Sequence, residues 1–288
     1  LKSKATYGVV FGALIAGTSG VIIKNIHTID ATSIAWFRTT VPTAIVFIWM
    51  IINGVKPFHG NYPKLLVGAL INSIRIYLYL IAFIYTSIGN AVILFYTWPI
   101  MVAILGFLFL GEKVDKYQTF LLVLTFLGIV LAYSDKPFTF ENNDFLGMLA
   151  ALGASLTNAA TVVLFKSEAK NYHSLEMVFY QNILGAFIFM PFFILGVGQA
   201  EIGDIGLGTL FGLIAGIVVF GLFFNSLKYL SAATASTLMY LEVVSAVLFG
   251  YLFFDEVLSL NMVLGGILIM ASNLLLIRFN RKKSVQNV

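Results

Sequence analysis

Apolar runs of membrane-spanning length follow one another along this chain, each closed by a short group of charged residues, Gly, Pro or Asn. A spanning helix needs about 20 mostly apolar residues, and the punctuation leaves room for ten: 6–24, 32–53, 63–86, 90–110, 116–134, 145–166, 175–196, 205–228, 233–253 and 259–279. The break between the third and fourth rests on Ser87, Gly89 and Asn90. Of 288 residues 60% are hydrophobic and 10% charged, against about a quarter charged in soluble domains. The expected fold is an all-α polytopic membrane protein. Lys2 and Lys4 precede the first apolar run and no small-residue cleavage site follows it, so it reads as a span rather than a signal peptide.

Residues 85–133 and 229–277 align without a gap at a spacing of 144, matching Tyr85 to Tyr229, Ala91 to Ala235, Tyr96 to Tyr240, Glu112 to Glu256 and Leu124 to Leu268. A period this long marks a duplicated half, the usual build of membrane transporters. The halves are 1–134 and 144–279, joined by a linker at 135–143 and followed by a basic tail at 280–288.

Orientation follows from the lysines and arginines, which stay on the cytoplasmic side. With the N-terminus inside, alternate loops hold Lys2, Lys4, Lys56, Lys64, Lys113, Lys116, Lys166, Lys170, Lys228, Arg278, Arg281, Lys282 and Lys283, and the opposite loops only Lys24 and Lys136. A wrong count of spans would have scrambled that bias. Both termini are expected in the cytoplasm, in an inner or plasma membrane. Five spans per half is odd, so the second copy enters from the other face: the prediction is two inverted five-helix repeats, with a substrate site near the midplane where they meet. The rule accounts for the net charge of +4 and the basic tail, so nucleic acid is not a partner, whereas membrane lipid is.

Polar residues within the spans mark the candidate site. Arg75 stands mid-span, where a cation costs about 2.5–3.5 kcal/mol. Helical spacing places Asn72, Arg75, Tyr79 and Thr86 along one stripe. A guanidinium there either pairs with a neighbouring carboxylate or carbonyls, or holds a substrate carboxylate or phosphate. Glu242 is the acidic residue placed in the middle of a span, opposite Trp98 in the repeat. It reads as a proton-coupling site, a partner for a substrate amine, or a salt bridge to Arg75. Tyr96, Trp98, Asn158, Thr237 and Tyr240 are polar or amphipathic groups suited to lining a cavity. Pro99 follows Trp98 and is a candidate hinge, while Pro42 and Pro191 are candidate kinks. Arg38, six residues into the second span, is expected to snorkel outward as an anchor. Gly8, Gly12, Gly17 and Gly20 are read as a packing face.

Phe37-Arg38, Trp98-Pro99, Leu110-Gly111-Glu112-Lys113, Leu241-Glu242 and Phe253-Phe254-Asp255-Glu256 occur in this order across ten spans. In this the chain resembles the EamA branch of the drug/metabolite transporter superfamily over nearly its whole length. The resemblance implies two inverted five-helix repeats around a central cavity, working as a metabolite exporter or exchanger. Two positions depart from the family pattern: Val243 stands where a proline often follows the glutamate, and Arg75 where no arginine is expected.

The leading expectation is a secondary transporter of a small carboxylate-bearing metabolite, an amino acid or related zwitterion first, with a larger nucleotide-like anion second and a lipid-handling or structural subunit third. A proton or counter-substrate, and a homodimer, remain open as partners. Cysteine is absent, and His27, His59 and His173 lack ligand spacing. No metal site or cofactor is expected. With no nucleotide-binding loop or nucleophile elbow, neither a primary pump nor an enzyme is expected.

Overall fold

The computed structural model describes residues 1–113, 115–135, 144–196, 198 and 200–286, with the side chains of 282–286 outside the description. Of the linker at 135–143, residues 136–143, with Lys136, lie outside the described residues.

The described residues are helical throughout, with no strand among them. Eight helices are long and apolar enough to cross a bilayer alone: Lys2–Lys24, Ala31–Ile52, Tyr62–Tyr85, Ile88–Leu110, Asp144–Glu168, Ile202–Leu227, Ala232–Phe254 and Leu260–Arg281. Ser174–Ile188 and Met190–Gly196 form a ninth pass bent by 53°, and the shorter apolar helix Lys116–Ala132 stands at the fifth expected position. Pro191 is the second residue of the second piece of the bent pass, two residues after the break at Phe189. The tenth helix runs on to Gln286, so the region expected as a separate tail continues it.

Contacts between loops confirm the alternation. At one end, Thr28 Oγ1 accepts from the Glu201 amide, Lys24 meets Glu256, and Asn261 donates to Ser134. At the other, basic end, His59 meets Glu176, the Ala232 amide donates to Glu112, and Gln118 donates to Asn280.

The turn between the third and fourth spans is only Thr86-Ser87. Ser87 closes it by accepting the Asn90 amide, and Ser231 caps the ninth span by accepting the Thr234 amide. These two caps are 144 residues apart. So are two C-terminal caps: Gly111 and Asp255 end their helices in the left-handed conformation (φ 63° and 51°), and the next amide of each, at Glu112 or Glu256, bonds back to Gly106 or Gly250. Nothing lies within 4 Å of a Cβ built on Gly111, so Gly111→Ala tests backbone strain alone. A loss of about 1–2 kcal/mol is expected, read as a lowered Tm in detergent; an unchanged Tm would mean that the turn relaxes at no cost.

Which helices touch follows the duplication. The second packs on the seventh and the fifth on the tenth, while the first lies against the eighth and ninth as the sixth lies against the third and fourth. Contacts between equivalent residues locate the axis, because a group touching its own symmetry mate must lie beside it. Two pairs do so at the 144 spacing: Arg38 donates to Asn182 (3.2 Å), and the Tyr240 hydroxyl donates to the Tyr96 carbonyl (2.7 Å). The fifth and tenth helices approach closely enough that a Cβ on Gly128 would stand 3.0 Å from the Gly265 carbonyl, the small-residue packing that lets membrane helices meet. In the first span Gly17 packs as closely, against Ser245 and Ala246, while Gly8 and Gly12 face the Leu222 side chain and Gly20 faces nothing within 4 Å.

Candidate functional site

Both axial helices, the fourth and the ninth, break where they pass the middle of the bundle. The fourth is divided into Ile88–Phe95 and Trp98–Leu110, and the ninth into Ala232–Leu238 and Leu241–Phe254. An interrupted helix frees backbone groups that must find partners away from water. Here the buried Tyr240 supplies one by bonding the Tyr96 carbonyl. Trp98 and Pro99 open the second half of the fourth span, so Pro99 sits in a first turn, where its missing N–H costs nothing. The helix break lies at Tyr96-Thr97, with Trp98 between it and the proline proposed as a hinge. Val243, in place of a proline, does not prevent the matching break at Met239-Tyr240.

These breaks face a cavity of about 220 Å³. Its polar lining consists of Arg38, Arg75, Tyr79, Tyr96, Asn158, Glu242 and Ser19, and its apolar walls include Phe95, Trp98, Phe211, Phe220 and Phe223. The cavity reaches from the helix breaks to Ile23, one residue before Lys24. It therefore occupies the half of the bundle opposite the basic end.

Two guanidinium groups and one carboxylate share this space. Arg75 is oriented by Asn72, whose Oδ1 accepts from Nε at 3.0 Å while its Nδ2 donates to the Gln181 carbonyl. Arg38 is buried (8% exposed), donates to Asn182 and lies over the Phe220 ring, 4.8 Å from its centroid. Pro42, four residues on, lacks the N–H that would bond the Arg38 carbonyl, which loosens the second span there. Across the cavity the eighth span passes through a π-helical segment, Gly212–Val219, that contributes Ala215 and Val219 to the wall. Such segments recur at functional sites. Among the described residues no ion pair within 4.0 Å joins Glu242 to either arginine. The salt bridge to Arg75 weighed from the sequence is therefore not formed in this conformation.

The structure brings Arg75, Tyr79, Tyr96, Trp98, Asn158 and Glu242 together around the cavity. Asn72, Thr237 and Tyr240 stand behind it: Asn72 positions Arg75, Thr237 bonds the Ala233 carbonyl, and Tyr240 bonds Tyr96. Pro99 is buried outside the lining. Arg38 corrects the sequence reading, because its head turns inward to Asn182 instead of snorkelling. The repeat carried the missing signal, since Arg38 falls opposite Asn182 at the 144 spacing and both are polar residues inside spans.

The basic end is closed. Lys166 donates to the carbonyls of Leu227 and Leu230 and lies 3.8 Å from Glu112, with both side chains about 15% exposed. Glu112 also accepts the Ala232 amide at 2.8 Å. At the opposite end, Lys24 of the first span meets Glu256 at 2.8 Å with both side chains half exposed. Glu112 and Glu256 are repeat equivalents, and their lysines close the equivalent sixth and first spans.

An all-helical multi-pass bundle with axial broken helices around a polar central cavity is the build of a membrane transport protein. The chain belongs to the EamA-like transporter family, whose family model matches it twice, over residues 4–134 and 145–278. It is 25% identical over 281 residues to the pseudopaline exporter CntI of Pseudomonas aeruginosa, covering 96% of this chain and 97% of that protein. An uncharacterized transporter of Archaeoglobus fulgidus is 28% identical over 276 residues, covering 93% of this chain and 94% of that one. Solute carrier family 35 member G1 of Mus musculus is 23% identical, covering 86% of this chain and 71% of that protein. A solved crystal structure 15% identical in sequence superposes with a TM-score of 0.82 over 95% of this chain and 97% of the other, a likeness of fold.

Proposed function

We propose that this protein is a secondary transporter that moves a small carboxylate-bearing metabolite by alternating access, its two inverted five-helix repeats exchanging conformations about the Arg38–Asn182 and Tyr96–Tyr240 contacts. The carrying observation is the pairing of Arg38 and Arg75 in one cavity with a single carboxylate, Glu242. Two forks of donors against one acceptor favour an organic anion, or an amino acid whose carboxylates outnumber its amines, with Glu242 reading the amine or a coupled proton. The cavity, at about 220 Å³, is smaller than the roughly 300–1,000 Å³ that holds a drug-sized ligand, which favours a small metabolite over a nucleotide. With the basic end in the cytoplasm, the cavity faces outward. The naming of one relative as an exporter supports outward movement.

The test is counterflow in liposomes containing the purified protein, with labelled amino acids, di- and tricarboxylates and nucleotides offered in turn. Exchange of an acidic amino acid or a small organic anion is the expected result. Exchange of nucleotides alone, or of neutral amines alone, would overturn the reading.

A further inference from the structure

The Asn158 side chain, on the sixth span, lines the central cavity and is 8% exposed. Among the described residues its amide makes no hydrogen bond, and unlike the amide oxygens of Gln181 and Asn273 it is not sealed from the space beside it. A buried asparagine in a membrane bundle ordinarily bonds across helices or back to its own backbone, as Asn182 and Asn273 do to the carbonyls of Val178 and Ile269. Asn158 does neither. Its repeat position is Leu14, so the scaffold accommodates an aliphatic side chain there.

The packing of the third span on the sixth sets the depth of this amide. A Cβ built on Gly68 would stand 2.6 Å from the Phe165 ring, and one on Gly147 would stand 2.7 Å from the Thr86 amide. The two spans therefore run antiparallel. Arg75 follows Gly68 by the same number of residues as Asn158 precedes Phe165, which brings the guanidinium-bearing turn level with the amide in the wall of one cavity.

Resting on the reading of Arg75 as the holder of a substrate carboxylate, we propose that Asn158 is the specificity-determining residue that bonds a hydroxyl or amino group on the carbon next to that carboxylate. The substrate class is then the 2-hydroxy or 2-amino acids. An amide offers two donors and an acceptor oxygen, which answers a hydroxyl in either sense and an ammonium through the oxygen. An acid with only hydrogen at that carbon closes the cavity over an amide left without a partner. Sites built around a buried polar group reject such analogues for that reason.

Succinate, malate and aspartate differ in carrying hydrogen, hydroxyl or ammonium at that carbon, as do propionate, lactate and alanine. Isothermal titration calorimetry of these six acids against the purified full chain in detergent tests the proposal. In the wild type, a substituted acid of at least one series is expected to bind about tenfold or more tighter than its unsubstituted parent. Asn158→Leu is expected to weaken binding of the substituted acid about tenfold and leave the parent within about threefold. Because it exchanges an unpaired amide for an aliphatic side chain, its Tm should not fall. Asn158→Gln keeps the amide on a longer stem and should retain part of the preference, a second reading of the same group. Tighter binding of malate and lactate than of aspartate and alanine would assign the hydroxyl, and the reverse order the amino group. Equal binding of parents and substituted acids by the wild type, a preference that survives Asn158→Leu, or a marked fall in its Tm would overturn the role of Asn158 and leave the carboxylate reading standing. Failure of all six acids to bind would overturn both.

Discussion

Replacing Arg38 or Arg75 with alanine is expected to abolish counterflow of a carboxylate substrate while leaving a folded, monodisperse protein. Each guanidinium supplies charge-assisted hydrogen bonds worth about 1.5–3 kcal/mol, a loss of about tenfold to a hundredfold in apparent affinity. Removing either cation also leaves Glu242 balanced by one arginine, so an incoming anion meets a cavity that is neutral instead of positive. Arg38→Lys keeps the charge but loses the planar fork and the geometry toward Asn182, and intermediate transport is expected. The two sites should differ in their structural cost. Arg75 is held by Asn72 of its own helix, whereas Arg38 reaches Asn182 of the other repeat at their axis. Arg38→Ala is therefore expected to lower the Tm more than Arg75→Ala. Wild-type counterflow by either alanine variant would remove that arginine from substrate binding.

Replacing Lys166 with methionine is expected to open the basic end. One ammonium holds two carbonyls at the end of the eighth span and faces Glu112 on the hinge between the fourth and fifth. Losing charge-assisted hydrogen bonds of this partly buried kind costs about 1.5–3 kcal/mol, and only the conformation closed at that end bears the cost. A difference of 3 kcal/mol shifts a two-state population by about a hundredfold. The chain has no cysteine, so Leu227→Cys, buried at the closed end, supplies a single reporter. Its maleimide labelling is expected to rise at least about tenfold in the Lys166→Met background. Lys24→Met removes the equivalent pair at the exposed end, where such pairs contribute about 0–1 kcal/mol, and labelling there should change less than about fivefold. Unchanged labelling at Leu227→Cys would show that the lysine is not what keeps the basic end shut.

Composition disclosed the number of passes because crossing a bilayer imposes length, and it disclosed Arg75 and Glu242 because a charge inside a span stands out against aliphatics. The same reasoning misplaced Arg38. Depth counted from the end of a span says how far a side chain must reach, but not which way it turns, and that is decided by Asn182 on a helix 144 residues away. Asn72, Thr237 and Tyr240 were assigned to the cavity for their polarity, yet Asn72 and Tyr240 bond neighbouring helices and Thr237 bonds the Ala233 carbonyl of its own. Helix rotation is fixed by packing, which no single span encodes. Hydropathy runs through the breaks at Tyr96-Thr97 and Met239-Tyr240 without interruption, and Pro99 marked only the neighbourhood of the first. The pairing of two tyrosines by the repeat was the signal common to both positions.

Under the alternating access proposed above, that tyrosine pair would offer the molecule a choice between two equivalent bonds. The Tyr240 hydroxyl now holds the Tyr96 carbonyl, and the pseudo-symmetric alternative has the Tyr96 hydroxyl holding the carbonyl of residue 240. The two arrangements contain the same chemistry and differ only in which repeat gives and which receives. Passing from one to the other is then a degenerate exchange that leaves the number of bonds unchanged, so a small differential affinity for cargo is enough to tip the balance in either direction.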